Sequence, residues 1–377
     1  MNALLPNIDP DGLLEYSVVF TDRSLNSMSI RFQEAMREID ASLKEVYAAD
    51  CVAIVPGGGT FGMEAVARQF AGGETALVVR NGWFSYRWTQ IMEAGEIPAH
   101  LEVMKARRTG NDKTSPFAPA PIDEVAAKIR ELKPAIVFAP HVETSAGMIL
   151  PDDYIAAVAV AAHEVGALFA LDCIASGCAW VDMKALGVDV LISAPQKGWS
   201  STPCAGLVMM SEAARERCDA RKSSSFACDL GQWAKIMDAY LGGGHAYHAT
   251  MPTDGLIQFR AAIEETRSFG FAKAKEAQFE LGRRVRAACA ARGLTSVAAE
   301  GFEAPGVVVV FTADPDLKSG ARFAKGGVQI AAGVPLQVDE GPDYMSFRLG
   351  LFGLDKLYDV DAAVERLETA LDAALAA

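Results

Sequence analysis

Runs of apolar residues about one strand long recur through the first two thirds of the chain. They are Cys51–Val55, Ala76–Val79, Ala135–Ala139, Ala167–Leu171, Val188–Ser193 and Gly206–Met210. Most are apolar throughout rather than alternating, the pattern of strands buried on both faces. Stretches with helical spacing fall between them, at 28–48, 61–71, 84–94, 121–132 and 152–165. This alternation predicts an α/β fold, a mainly parallel sheet covered by helices. The pattern changes near residue 250. Helical spacing at 254–268 and 271–292 leads to an apolar run Gly306–Phe311, a loop-rich segment 312–343, a strand Tyr344–Arg348 and a last helix 355–375. We therefore expect a large domain over 21–255 and a smaller α+β domain over 256–377. Residues 1–20, with Pro6, Pro10 and Gly12, read as an N-terminal arm packed on the body with the small domain.

Composition narrows the class. A chain of 377 residues exceeds one ordinary core, in line with two domains. With 51% hydrophobic and 22% charged residues it is globular rather than disordered. A net charge of −13 argues against nucleic-acid or anionic-membrane partners. The longest apolar stretch, 155–175, is broken by His163, Glu164 and Asp172 and does not read as a membrane span. The first residues show no secretory signal pattern. Seven cysteines, at 51, 173, 178, 204, 218, 228 and 289, have neither metal-ligand nor disulfide-framework spacing. No metal, reduced thiols and a cytoplasmic location are the expectation.

The chemistry lies at strand ends. Gly166-Ala-Leu-Phe-Ala-Leu-Asp172 closes one buried strand with an acid, and Val188-Asp-Val-Leu-Ile-Ser-Ala-Pro-Gln-Lys197 leads from another to an amine. α/β sheets bind ligands at the carboxyl ends of their strands. The pair suits pyridoxal phosphate, which takes a lysine for its Schiff base and a carboxylate for its ring nitrogen. A solvated loop lysine is the ordinary alternative. The buried strand before Lys197 and the donors of Gly198, Ser200 and Ser201 after it count against that. Desolvation lowers a lysine pKa and frees the neutral amine. At Asp172, a hydrogen bond to a charged ring nitrogen contributes about 1.5–3 kcal/mol. Such a bond raises that nitrogen's pKa by roughly one or two units.

The loop Val55-Pro-Gly57-Gly58-Gly59-Thr60-Phe61-Gly62 joins a strand to a helix, so its amides and the Thr60 hydroxyl can meet an anion. It also matches Gly-x-Gly-x-x-Gly, a weak sign of a dinucleotide site. That oxidoreductase reading would use Arg80 for a 2′-phosphate and leaves Asp172 and Lys197 without work. Asn81-Gly-Trp83-Phe84-Ser-Tyr86-Arg87-Trp88 offers an aromatic face for a planar ring, against helix-face core packing as the alternative. In Pro140-His141-Val142-Glu143-Thr144-Ser145, either Thr144 or Ser145 can bond the ring's 3′-oxygen. His141 is equally well a satisfied core residue.

Together these motifs resemble the class V aminotransferases of the fold type I pyridoxal-phosphate enzymes, over about residues 25–375, most of all the alanine–glyoxylate and serine–glyoxylate branch. The resemblance implies a phosphate cup at Gly58-Gly59-Thr60 and a ring-stacking side chain at Phe84, or at Trp83 if the register slips by one. It puts the ring-nitrogen acid at Asp172, Ile174 against the ring and the Gln196-Lys197 pair beside it. Tyr247-His-Ala-Thr250-Met-Pro resembles a motif whose Tyr and Thr reach the neighbouring subunit's phosphate, implying a homodimer with shared sites. Phe347-Arg348-Leu-Gly implies Arg348 at the substrate carboxylate, where a planar fork binds two oxygens. Two stretches depart from the family pattern. Phe20-Thr-Asp-Arg23-Ser-Leu-Asn-Ser replaces its Pro-Gly-Pro, and Gly198-Trp-Ser-Ser-Thr-Pro follows the lysine.

The expectation is a transaminase moving an amino group from alanine or serine to glyoxylate or pyruvate. Competing readings are a lyase or cysteine desulfurase using Cys204 or Cys228, an aminophosphonate transaminase, and a non-catalytic binding protein on the same fold.

Overall fold

The structure is a computed structural model and describes residues 7–10, 12–18 and 23–376. Pro6 of the expected arm and the Phe20–Asp22 part of the atypical opening lie outside them. The arm touches the body through Ile8, which packs on the core, and Asp9, which is buried. Leu13, Tyr16 and Val18 are almost wholly exposed.

Seven strands form the main sheet: β1 (Cys51–Pro56), β2 (Thr75–Arg80), β3 (His100–Lys105), β4 (Ile136–Pro140), β5 (Leu168–Asp172), β6 (Val190–Ser193) and β7 (Ala205–Met210). Their order is β1-β7-β6-β5-β4-β2-β3. Only β7 runs against the rest, pairing antiparallel with β1 and β6; the other pairings are parallel. Helices α1 (Ile30–Tyr47), α2 (Gly59–Phe70), α3 (Trp83–Ala94), α4 (Ile122–Leu132), α5 (Asp152–Glu164), α6 (Leu230–Leu241) and α7 (Thr253–Phe269) flank it. The uninterrupted apolar strands are buried on both faces, as their composition requires. Phe32, Met36, Ile39 and Leu43 form one stripe of α1 in the same core as Leu256, Phe259 and Ile263 of α7. The expected domain division at 255 falls inside α7, whose apolar stripe belongs to this core.

Beyond α7, α8 (Phe271–Ala291) leads to an antiparallel sheet of β8 (Val307–Phe311), β9 (Ala331–Ala332) and β10 (Ser346–Gly350), ordered β8-β10-β9. The helix α9 (Val360–Ala376) packs on α8 and closes the chain. Side chains alternate along a strand. Val308, Val310, Phe347 and Leu349 therefore enter a core with Leu281 and Leu371 of the two helices. Val307, Val309 and Phe311 face the other way and pack against Val142, Met148 and Leu336. Arg348 is paired opposite Val309 and so shares that second face, the one turned toward the main sheet.

Four elements differ from the sequence reading. The strand expected at Tyr344–Arg348 is β10, two residues later; an even shift leaves every side chain on its face. The helix expected at 355–375 splits into Leu354–Leu357 and α9, the latter capped by Asp359 Oδ1 accepting from Ala362 N at 2.9 Å. Strand β3 and helix α6 were not anticipated. β3 is an edge strand of half-buried residues and lacks the apolar run that marks the others. Among the described residues no helix is long and apolar enough to cross a membrane.

Candidate active site

The carboxyl ends of β1, β2, β4, β5 and β6 open on one side of the main sheet, and the inner face of β8–β10 stands over them. Between them lies a cavity of about 430 Å³. Gly59, Thr60, Phe84, Thr144, Asp172, Ile174, Gln196, Lys197 and Arg348 all line it.

One end is built for an anion. Gly58 is the N-cap of α2, its carbonyl accepting from Phe61 N and Gly62 N, and Gly59 and Thr60 begin the helix. The amides of that first turn carry the positive end of the helix dipole. Arg87 lines the same end and reaches Thr60 Oγ1 at 3.3 Å. Sequence reasoning passed over Arg87. Its signal is position: three residues after Phe84 it shares a face of α3.

The start of α3 is clamped. Glu143, wholly buried, accepts five hydrogen bonds of 2.7–3.1 Å, from Phe84 N, Ser145 N, Ser145 Oγ, Ser85 N and Ser85 Oγ. Gly82 must be glycine here: a Cβ would lie 2.1 Å from Ser145 Oγ and 2.7 Å from Glu143 Cγ. The clamp sets the Phe84 ring on the cavity wall, 5.6 Å from Arg348 Cζ. Trp83 packs on Tyr86 at 5.7 Å and is not among the residues of that wall. Ser145 is taken up by Trp83 N and Glu143, leaving Thr144 as the hydroxyl on the cavity. His141 bonds Ser176 Oγ at 2.7 Å and burial pushes its pKa down to about 3, making it a neutral core residue.

Asp172 is 6% exposed and accepts from Ile174 N at 2.9 Å. Burial pushes its pKa up to about 7, with Glu143 adding to the rise and Arg87 opposing it. Burial lowers the Lys197 pKa, and the neighbouring Arg348 lowers it further. Lys197 Nζ stands 5.5 Å from the centre of the Phe352 ring. Arg348 is half-buried, its Nε donating to Ala332 O at 2.8 Å. Among the described residues no cation pairs with Asp172 at salt-bridge distance, and Gln196 Oε1 is buried without a partner. A buried carboxylate lacking a cation and a desolvated lysine in one cleft fit a planar, anionic, cationic-ring cofactor. Among the described residues no cluster of three His, Cys, Asp or Glu side chains is placed to hold a metal.

Two residues lie away from this cavity. Tyr247 is 68% exposed, and Thr250 lines a separate surface cavity with Gly57 and Cys204. Cys204 and Cys228 are both buried off the cavity, and burial raises both thiol pKa values, so neither offers a thiolate to it. Arg80 is occupied by Thr89 Oγ1 and Gln337 O.

The class-V aminotransferase family model matches residues 13–333. The chain is 28% identical over 361 residues to a 2-aminoethylphosphonate–pyruvate transaminase of Paraburkholderia phymatum, covering 91% of this chain and 90% of that one. It is 27% identical to the soluble hydrogenase 42 kDa subunit of Anabaena cylindrica, covering 90% and 85%. Among solved structures, an alanine–glyoxylate aminotransferase from Nostoc sp. superposes with a TM-score of 0.78 at 22% identity, over 93% of this chain and 89% of that one.

Proposed function

This chain belongs to the class V aminotransferase family, and from that premise we propose a pyridoxal-phosphate transaminase that moves an amino group from a small donor to a small 2-oxo acid. The observation that carries the reading is the convergence of Lys197, Asp172 and Arg348 on one cavity with an anion-binding helix end.

In this reading Gly58, Gly59, Thr60 and Arg87 hold the cofactor's phosphate. Phe84 and Ile174 hold its ring faces, Thr144 its 3′-oxygen, Asp172 its ring nitrogen, and Gln196 lies beside Lys197, the covalent anchor. When bound, pyridoxal phosphate supplies an aldehyde and a ring that accepts the electron pair left when a donor carbon loses its proton. Arg348 binds the donor's anionic group and orients its amine-bearing carbon toward Lys197. Lys197 Nζ, desolvated and so more often neutral, takes the proton from that carbon as general base. The walls from Val142, Val307 and Phe352 exclude water from the proton's path. Asp172 stays ionised once a cation stands beside it, and its charge holds that cation.

Alanine or serine as donor and glyoxylate or pyruvate as acceptor are the substrates proposed. A second donor class, aminophosphonates, is favoured by the Paraburkholderia relative and by the affinity of a guanidinium for either anion. The chain is also proposed to work as a homodimer. Tyr247 and Thr250 do not reach the cavity of their own protomer and are taken to complete the partner's phosphate site. A panel of alanine, serine and 2-aminoethylphosphonate against glyoxylate and pyruvate tests the reading. Turnover with at least one pair, lost in Lys197→Ala, is expected; turnover undiminished in Lys197→Ala would overturn it.

A further inference from the structure

Arg348 and Lys197 fix two substituents of any donor, its anion and its amine. A third substituent meets the remaining walls. The aromatic wall on the lysine side is Phe352, whose ring centre is 5.5 Å from Lys197 Nζ. It comes from the small sheet's side of the cavity, two residues beyond β10, and three contacts fix it there. Its carbonyl accepts from Lys356 Nζ at 2.9 Å. Its ring lies so close over Gly306 that a Cβ there would meet Cε1 at 3.0 Å. Two residues on, Leu354 N donates to Ser200 Oγ at 2.9 Å.

That last bond crosses from the small sheet's corner to the loop that carries Lys197. Ser200 is one of few non-glycine residues with positive φ, 55°. L-residues avoid that region. Here the conformation aims the hydroxyl at Leu354 while Ser200 N donates to Lys197 O at 3.1 Å. The first serine of the atypical Gly198-Trp-Ser-Ser-Thr-Pro loop thereby ties the lysine to the wall facing it.

We propose that Phe352 is a specificity-determining residue limiting the donor to amines whose third substituent is no larger than a hydroxymethyl group, and that Ser200 is the positioning residue that holds it there. The inference rests on the transaminase reading above and narrows its substrate class to short, anion-bearing primary amines.

The test uses the cofactor-loaded enzyme, with glyoxylate as acceptor and alanine, 2-aminobutyrate and norvaline as donors. In Phe352→Ala, kcat/KM for alanine falls and that for norvaline rises, so their ratio moves at least about tenfold, the weight of one or two methylenes in a tailored pocket. Phe352→Leu moves it less. Ser200→Gly suits the positive φ and lacks the hydroxymethyl group that reaches Leu354; it shifts the ratio in the same direction by about threefold, mainly through KM. Ser200→Ala gives the same shift. A readout independent of turnover is tryptophan quenching on binding of propionate against valerate, whose tails meet the same wall. Valerate gains on propionate in Phe352→Ala. Unchanged chain-length profiles in both measurements overturn the proposal. A wild type that turns over no donor while its carboxylate profile still shifts in Phe352→Ala sinks the transaminase reading and leaves the wall's role standing.

Discussion

Two loops at the carboxyl edge of the same sheet are built in opposite ways. At the start of α3 both carboxylate oxygens of Glu143 are fully engaged, and the two hydroxyls of Ser85 and Ser145 each serve more than one partner; of the groups beside them only Asn81 Oδ1 is buried without one. In the loop around Lys197, the Gln196 Oε1, Trp199 Nε1 and Ser201 Oγ atoms are buried with no partner, and Ser200 holds a positive φ. The Glu143 clamp is complete before anything binds. It sets a ring and an arginine in place. The second keeps unpaired groups beside Lys197, the side chain proposed to exchange partners. Rigidity belongs to the holding loop and unspent bonding capacity to the reacting one.

Lys197→Ala breaks the comparison at its reactive end. Turnover is expected to fall at least about a thousandfold, near 4 kcal/mol of barrier, with cofactor binding retained non-covalently in absorbance spectra. Glu143→Ala breaks the other end. It removes the acceptor of five hydrogen bonds, and a loss on the order of 3–5 kcal/mol in urea unfolding is expected; no loss would mean the clamp is idle.

Asp172 lies between the two loops and is read through pH. Its folded pKa, about 7, is above the unfolded value, so it stabilises the cofactor-free fold at low pH and loses that contribution as pH rises from about 4 through 7. His141, held down to about 3, has the opposite sense: its contribution is present above about 6.5 and is lost as pH falls. The cofactor-free wild type should therefore lose on the order of 2–4 kcal/mol between pH 4 and pH 8 relative to Asp172→Asn. Parallel stability curves would contradict the burial argument.

The finest contrast is one substitution made twice. Ser85→Ala removes a hydroxyl with four hydrogen-bond partners and should cost about 1–3 kcal/mol. Ser201→Ala removes one with none and should stay within about 0.5 kcal/mol of wild type. Equal costs would erase the distinction between the loops.

The six buried strands were legible because each is an apolar run; β3, half-exposed at the edge, carried no such mark. Lys197 and Asp172 were legible because each follows such a run. The choice between Thr144 and Ser145 was not, since neighbours in sequence differ here only in which partner a fold brings to them. Glu143, Arg87 and Phe352 were missed for the same reason. Their roles depend on the turn of α3 and on the small sheet closing over the large one, contacts made across long stretches of chain. Arg348 came from resemblance, and the alternation of β10 supplies its physical account: Phe347 and Leu349 face the helices, so the residue between them faces the cavity.

The central claim is that the amine at 197 is the covalent seat of the cofactor. Borohydride reduction of the cofactor-loaded protein, followed by peptide mass spectrometry, tests it directly. The account predicts a pyridoxyl group on the peptide carrying Lys197 and on no other; a label on a different lysine, or none, would contradict it.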